Sequence, residues 1–236
     1  MKNDEIIVLP AQDVKDTIKG IKERVTTTIL DPWYNKGIGG VRSDYYEWLF
    51  DLLGDVAQIS DNIFLWGFPD IIYKVLDNLP GQFRLVSWLT WYYKNCPSVV
   101  RGWRPAQYTC LHLAKPTATL YPEHFLNGNQ LDKKEQGKLR YIPGPTSVIE
   151  VPLEIGFVGR KEQTGHPAQK PVKTIEPLIM MTTKEGDLVF DPMCGSGTTG
   201  VVCRKFNRRA ILCDHEQKYI DMTEKRLGIQ QLSLIT

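Results

Sequence analysis

Short apolar runs alternate along the chain with segments whose apolar residues recur every three or four positions. The runs predict β-strands and the recurring segments predict amphipathic α-helices. Strands are expected at 5–10, 26–30, 62–67, 83–93, 187–190 and 209–213, and helices at 14–25, 45–53, 70–79, 172–182, 198–206 and 216–227. This alternation predicts an α/β fold with a single, doubly wound, mostly parallel sheet covered by helices on both faces.

The middle of the chain breaks this pattern. Between residues 114 and 164, prolines, glycines and charged residues accumulate and no long periodic segment appears. Residues 115–164 are therefore expected to form a small irregular insertion. We expect residues 1–236 to form one domain around it.

Four acidic residues fall at or just beyond the ends of predicted strands: Asp13, Asp31, Asp191 and Asp214. Ligands of open α/β sheets bind at the carboxyl ends of the strands. If these strands are neighbours, the four carboxylates line one crevice.

Composition narrows the class of protein. The chain has 236 residues, a formal net charge of +2 and 42% hydrophobic residues, which is typical of a globular domain. No apolar run approaches the ~20 residues that a membrane span needs, and the N-terminus lacks the apolar region of a signal peptide. We therefore expect a cytoplasmic protein without a membrane segment. The five cysteines lack metal-site spacing, so we expect packed free thiols and no metal.

A glycine-rich turn marks the candidate cofactor site. The run 189–200 reads as a strand, a turn containing Gly195 and Gly197, and a helix start at Thr198 and Thr199, where free N–H groups favour an anionic group. No lysine follows Gly197 as in a triphosphate-binding loop. Asp214 ends the next predicted strand, where an acid can bind ribose hydroxyls. The other interpretation of Asp214 is a helix cap. A ribose-bearing ligand with an anionic end and no triphosphate fits S-adenosylmethionine.

Together with residues 165–171, this run resembles the amino-DNA methyltransferases. In that family a His-Pro-x-x-Lys-Pro segment leads through a helix to an Asp-Pro-Phe-x-Gly-Ser-Gly-Thr-Thr loop, and Met193 stands here where phenylalanine is usual. The resemblance implies that Lys170 helps to enclose the methionine part of the cofactor. The cofactor-binding residues expected from the loop are Asp191, Pro192, Met193, Cys194, Gly195, Ser196, Gly197, Thr198 and Thr199, with Asp214 after it.

The family's catalytic motif is Asp/Asn/Ser-Pro-Pro-Tyr/Phe/Trp, and this chain has Asp31, Pro32, Trp33 and Tyr34. The lone pair of a base's exocyclic amine is delocalised into the ring, and hydrogen bonds to a carboxylate and a carbonyl localise it toward the methyl donor. The resemblance implies that Asp31 and the Pro32 carbonyl accept these bonds, and that Tyr34 stacks on a base flipped out of DNA. Trp33 replaces the usual proline and is expected to reshape the pocket or to stack on the base.

The order of the motifs resembles the β arrangement of these enzymes, which is a circular permutation of the usual Rossmann-like methyltransferase chain. Asp13 follows Gln12 where the family has Gly-Asp, so it is expected near the adenosine end of the cofactor. In the family, aspartate at the first motif position is commoner for adenine N6. Asp31 therefore favours adenine, with cytosine N4 as the alternative.

Basic residues suggest where DNA binds. Lys94, Arg101 and Arg104 are interleaved with Trp91, Tyr92, Tyr93, Trp103 and Tyr108, which suits phosphate contact and stacking. The alternative interpretation is that the aromatic residues belong to a partly buried strand and the basic residues form its solvent-exposed face, without a role in DNA binding. The insertion is the expected target-recognition segment, and its candidate contacts are Lys133, Lys134, Lys138 and Arg140. Its small size favours a homodimer or a partner subunit that shares the DNA.

The sequence thus predicts a DNA amino-methyltransferase that takes its methyl group from S-adenosylmethionine and acts on duplex DNA. RNA as the substrate remains an alternative. A non-catalytic nucleic-acid-binding subunit that retains the fold, with Trp33 marking decay, is the alternative from another class.

Overall fold

The computed structural model describes residues 5–35, 40–96, 102–158 and 160–229. Within them, eight strands form one sheet. These are β1 Ile6–Val8, β2 Val25–Leu30, β3 Ser60–Gly67, β4 Arg84–Tyr92, β5 Gln107–Ala114, β6 Val148–Glu150, β7 Leu188–Asp191 and β8 Arg209–Leu212.

The strands follow the order β1-β8-β7-β2-β3-β5-β4-β6. Five of the seven pairings are parallel, and only the two pairings of β5 are antiparallel. The sheet is therefore mixed but mostly parallel, which confirms the predicted fold class.

Helices cover both faces of this sheet. They are α1 Val14–Gly20, α2 Tyr45–Ile59, α3 Pro69–Ile72, α4 Gly128–Glu135, α5 Val172–Thr182, α6 Thr198–Lys205 and α7 Gln217–Leu227, and 3₁₀ turns lie at Tyr73–Asp77 and Pro122–Phe125. Alternate strand residues point to opposite faces. Ile63 and Leu65 accordingly pack with α1, α2 and α3, while Phe64 and Trp66 pack with α5, α6 and α7.

The pairing of β2 with β7 lies at the centre of the sheet. Thr27 pairs with Val189 and Thr28 with Phe190. The chain leaves β7 toward β8 on one side, and it leaves β2 toward β3 on the other. This reversal of direction opens a crevice beyond the carboxyl ends of the two strands, where ligands bind in doubly wound sheets.

Three helices differ from the prediction by more than one residue. The expected helix over 70–79 is an α-helix only over Pro69–Ile72 and continues as a 3₁₀ turn over Tyr73–Asp77. The expected helix over 14–25 ends at Gly20, because Val25 joins β2 and pairs with Ser60. The expected helix over 45–53 continues through Gly54 to Ile59, because Val56 and Ala57 extend its buried face. Their burial outweighs the roughly 1 kcal/mol cost of a glycine inside a helix.

Three elements were missed: β5, which ends just before the region that seemed irregular, and α4 and β6 within that region. Helix α4 begins with a capping box, in which the Asn127 side chain accepts from the Gln130 N–H and the Gln130 side chain accepts from the Asn127 N–H. It buries no residue, so it has no apolar period by which to be recognised. The predicted loop character of this stretch is wrong for its helical part.

The segment that contains α4 is anchored far from the crevice. Strand β5 runs against β3, so Ala114 lies beside Asn62 and Arg84 at the starting ends of β3 and β4. The Tyr121 N–H then donates to the Met181 carbonyl at the end of α5 (2.8 Å). The first part of the insertion therefore lies at the edge of the sheet opposite the carboxyl ends of the parallel strands.

Candidate active site

Four carboxylates meet at the carboxyl ends of neighbouring strands. Strands β1, β8, β7 and β2 are consecutive and parallel, and each is followed or ended by one of the predicted acids. Asp13, Asp31, Asp191 and Asp214 all line one cavity of about 510 Å³. The expected convergence of these four residues is confirmed.

The glycine turn between β7 and α6 forms one wall of this cavity. Gly195 and Gly197 have positive φ angles of 51° and 74°, which other residues adopt only at a cost. A Cβ on Gly195 would lie 2.9 Å from His166 Nε2, and a Cβ on Gly197 would lie 2.8 Å from Thr223 Cγ2. Both the turn and its packing therefore require glycine. Gly195 lines the cavity, whereas the predicted cofactor residue Gly197 is not among the described residues that line it. Six more predicted loop residues line the cavity, namely Pro192, Met193, Cys194, Ser196, Thr198 and Thr199.

Two of the acids hold this turn in shape. Asp214 accepts the N–H groups of Gly195 (3.0 Å) and Glu216 (3.1 Å). Asp191 accepts the Met193 N–H (3.1 Å) and the Thr199 hydroxyl. Arg226, which sequence reasoning missed, donates to the Ser196 carbonyl (3.0 Å) from α7. Asp214 therefore does not cap α7, whose N-cap is Glu216, although it accepts the N–H of that residue, and it lines the cavity.

Burial of Asp191 raises its pKa to about 7, although the bonds from Thr199 and Met193 oppose the shift. Asp31 and Asp214 add a smaller increase through charge repulsion. A buried carboxyl group that stays protonated to neutral pH relieves part of the repulsion among the four acids.

The candidate catalytic residues lie directly after β2, on the opposite wall. The Tyr34 hydroxyl donates to Asp31 Oδ1 (2.8 Å), and the Tyr34 ring packs edge-on against Phe68 and Tyr108. Burial, reinforced by the charge of Asp31, raises the pKa of Tyr34 to about 12. Tyr34 therefore stays protonated and can donate to Asp31. Its stacking on a base stays a prediction.

Lys170 joins the two walls. Its ammonium group binds Asp31 Oδ2 and donates to the Tyr34 hydroxyl (3.0 Å), while its carbonyl accepts from the Thr198 hydroxyl (2.8 Å) at the start of α6. Burial lowers the pKa of Lys170, but Asp31 and Tyr34 more than offset this effect, so the pKa lies above its ordinary value. Lys170 is therefore a charged residue at the centre of the site.

A family model for N6 and N4 methyltransferases, described as DNA methylase, matches residues 25–225. The chain belongs to the DNA methylase family. Type II methyltransferase M.HpaI of Haemophilus parainfluenzae is 30% identical to it over 229 residues, which cover 89% of this chain and 70% of that protein.

Solved structures of methyltransferases share its fold. The M1.HpyAVI–SAM complex matches with a TM-score of 0.72 at 22% identity, over 95% of this chain and 100% of that one. PvuII DNA methyltransferase, described as cytosine-N4-specific, matches with a TM-score of 0.71 at 15% identity, over 97% and 90% of the two chains. At 22% and 15% identity, this structural similarity establishes the fold alone.

This DNA methylase departs from the family motif at Trp33, and the structure shows what surrounds that residue. The Trp33 ring packs edge-on against Tyr45 at 5.9 Å between centroids, and the Tyr45 hydroxyl donates to the Trp33 carbonyl (2.9 Å). Tyr45 is buried at the start of α2. Proline would fix φ at this position, whereas here a tyrosine from α2 restrains the backbone by a hydrogen bond.

The predicted DNA-binding residues fall into two groups. Lys94, Trp103 and Arg104 follow β4, which runs parallel to β3, so they lie at the same edge of the sheet as the active site. Lys133 and Lys134 lie on α4, and Lys138 and Arg140 follow it, in the segment that is anchored at the opposite edge. Arg101 lies outside the described residues. No contact here tests a role in DNA binding, so these assignments stay predictions.

The aromatic interleaving in this region has a structural cause. Trp91, Tyr93 and Tyr108 are buried in the core that packs against α5, α6 and α7. They cannot serve as a stacking surface, so the buried-strand interpretation is correct for these three residues. The two exceptions are Tyr92, which is half-buried, and Trp103, which is 97% exposed.

Sequence reasoning missed several residues that line the cavity. They come from elements other than the two motifs, and include Arg42, Trp48, Trp66, His166 and Tyr219. Trp66 could have been predicted, because it lies near the carboxyl end of the strand expected at 62–67, and the four aspartates were identified from the same kind of position. His166 begins the His-Pro-x-x-Lys-Pro segment, from which only Lys170 was assigned a role. Arg42, Trp48 and Tyr219 face the cavity only through helix packing and loop geometry, which the sequence does not encode locally.

Among the described residues, no helix is long and apolar enough to cross a membrane, and no three His, Cys, Asp or Glu side chains group as a metal site. Cys110, Cys194, Cys203 and Cys213 are buried free thiols.

We expect Asp191 to make stability depend on pH. The folded carboxyl group keeps its proton up to about pH 7, whereas the unfolded one loses it near 3.8, so the folded state binds more protons between these values. Its contribution to the free energy of unfolding therefore falls by about 3 kcal/mol as pH rises from 4 to 7. Urea unfolding of wild type and Asp191→Asn across this range measures the effect. Parallel pH curves for the two proteins would contradict it.

We expect Tyr45→Phe to loosen the candidate catalytic loop. Loss of the bond to the Trp33 carbonyl lowers the free energy of unfolding by about 1 kcal/mol and slows turnover by roughly 3- to 10-fold. Tyr46→Phe is the matched control, because the Tyr46 hydroxyl donates to the Ile71 carbonyl (3.3 Å), away from the motif. Equal turnover in the two variants would show that Tyr45 does not restrain the loop.

Proposed function

We propose that this DNA methylase transfers a methyl group from S-adenosylmethionine to the exocyclic amine of a flipped-out base in duplex DNA, adenine N6. One observation carries the proposal. The Asp31 motif and the glycine turn follow adjacent strands, β2 and β7, and they line the same cavity. A methyl donor on one wall and an amine on the other can meet there.

The cavity suits the cofactor in size and in charge. Its volume of about 510 Å³ lies within the ~300–1,000 Å³ of small-molecule sites. S-adenosylmethionine carries a sulfonium cation, and four carboxylates surround the space. A carboxylate has about four lone-pair sites. Asp214 uses two of them on backbone N–H groups, so it can still accept ribose hydroxyls.

The proposed cofactor contacts follow from these positions. Asp214 and Asp13 bind the adenosine end, and residues 191–199 hold the methionine end above the start of α6. Met193 fills the apolar place of the usual phenylalanine. The M1.HpyAVI relative was solved in complex with SAM, which supports this choice of cofactor.

Asp31 and Pro32 are proposed to bind the target amine. Asp31 Oδ1 accepts a hydrogen bond from Tyr34, and Oδ2 accepts one from Lys170. Both oxygens still have a free lone pair, so the carboxylate can accept one of the two amine hydrogens. The Pro32 carbonyl accepts the other hydrogen, which directs the nitrogen lone pair toward the methyl group. When bound, the cofactor supplies an electrophilic methyl whose C–S bond breaks, with its electron pair staying on sulfur, as the N–C bond forms. Asp31 is the base placed to take the proton that the amine then loses.

Asp31, the first residue of the candidate catalytic motif, is the basis for proposing adenine rather than cytosine. Asp31 favours adenine N6, while the fold does not discriminate, because the PvuII enzyme of the same fold is described as cytosine-N4-specific. The site is a cavity lined on several sides, so a base must leave the duplex stack to reach Asp31. The backbone contacts proposed nearest to it are Lys94 and Arg104, at the same edge of the sheet.

Labelled S-adenosylmethionine and unmethylated DNA, followed by nucleoside analysis, test the function. We expect N6-methyladenine from wild type, and at least a roughly 100-fold loss in Asp31→Asn with unchanged affinity for S-adenosylhomocysteine. Asp16→Asn is the control, since Asp16 is an exposed residue of α1 that contacts Lys19. N4-methylcytosine would correct the base, and transfer by Asp31→Asn at the wild-type rate would refute the assigned role.

A further inference from the structure

Lys170 makes contacts that a cofactor-enclosing residue does not require. The residue is 8% exposed, and its ammonium group lies against Asp31 and Tyr34. The same nitrogen is 5.0 Å from the ring centroid of Tyr108 and 5.6 Å from those of Tyr34 and Trp66. The whole side chain is thus directed at the candidate catalytic motif.

The backbone of Lys170 is fixed from the other side. Its carbonyl accepts from the Thr198 hydroxyl (2.8 Å), and Thr198 is the first residue of α6. Pro171 follows as the N-cap of α5. A residue held by the cofactor turn through its backbone and by Asp31 through its side chain fixes the distance between the two walls.

The charge distribution also favours Asp31 as the partner of Lys170. A buried ammonium is tolerated only when a fixed counter-charge and hydrogen-bond acceptors surround it. Asp31 and Tyr34 supply both. The α-carboxylate of S-adenosylmethionine is its one group that would attract Lys170, whereas the sulfonium and the α-ammonium would repel it, and the Lys170 ammonium already binds Asp31 and Tyr34.

We infer that Lys170 is a positioning residue for Asp31: it orients the carboxylate that receives the target amine, and it ties this carboxylate to the turn that holds the methyl donor. The inference rests on the proposed function and replaces the role in enclosing methionine that the resemblance implied. The amine accepts methyl only when its hydrogen bond to the carboxylate has the correct direction. A small rotation of Asp31 therefore lowers kcat without weakening cofactor binding.

The test compares Lys170→Met, Lys170→Arg and the exposed control Lys173→Met. Turnover is measured on methylatable DNA, and the Kd of S-adenosylhomocysteine is measured by calorimetry. We expect Lys170→Met to lower kcat about 100-fold, while the Kd changes less than about threefold. Arginine keeps the charge and restores part of kcat, and Lys173→Met behaves as wild type.

A double variant adds a readout that a purely structural role would not produce. If Lys170 acts through Asp31, Lys170→Met has no further effect on kcat in the Asp31→Asn background. A Kd that weakens as much as kcat falls would overturn the inference in favour of cofactor binding. A rise in kcat in Lys170→Met would also overturn it, since it would mean that the ammonium group blocks the place of the amine. Wild-type protein that methylates no DNA would refute the proposed function instead.

Discussion

The parallel pairing of β2 with β7 is the constraint on which the site depends. The last paired positions, Thr28 and Phe190, come three residues before Asp31 and one residue before Asp191, so both acids must lie at the same edge of the sheet. Their loops then diverge, one toward the candidate catalytic residues and one toward the glycine turn. Asp31 and Asp191 are 160 positions apart in the sequence, and two backbone pairings at the centre of a buried sheet bring them together.

Four carboxylates in one cavity repel one another, and each of them is stabilised in a different way. Asp31 faces the Lys170 ammonium, Asp214 accepts two backbone N–H groups, and Asp13 accepts the Lys15 N–H at the start of α1 (2.8 Å). Asp191 is fully enclosed, and burial favours its protonated form. The contacts that position these groups are therefore also the contacts that allow them to lie together. This is the arrangement expected at a site that receives a cationic ligand.

Much of the fold and of the site followed from the sequence, and the exceptions have physical causes. The acids could be predicted because parallel strands end at one edge, and α5 could be predicted to its last residue because its apolar period is unbroken. Strand β5 was missed because its apolar residues lie among charges and prolines on either side. The sequence predicted Lys170 in the correct cavity, but it did not predict its contact with Asp31, because that contact depends on how α5 packs against β2. The environment of Trp33 depends likewise on α2, through Tyr45.

The central claim is that a methyl donor on the glycine turn faces an amine acceptor on the Asp31 loop. A crystal structure of the protein with bound S-adenosylhomocysteine tests it most directly. We predict that the cofactor sulfur lies between the Gly195 turn and the Asp31 carboxylate, with the ribose at Asp214 and Lys170 still paired with Asp31. A cofactor bound elsewhere, or one whose sulfur points away from Asp31, would contradict the account.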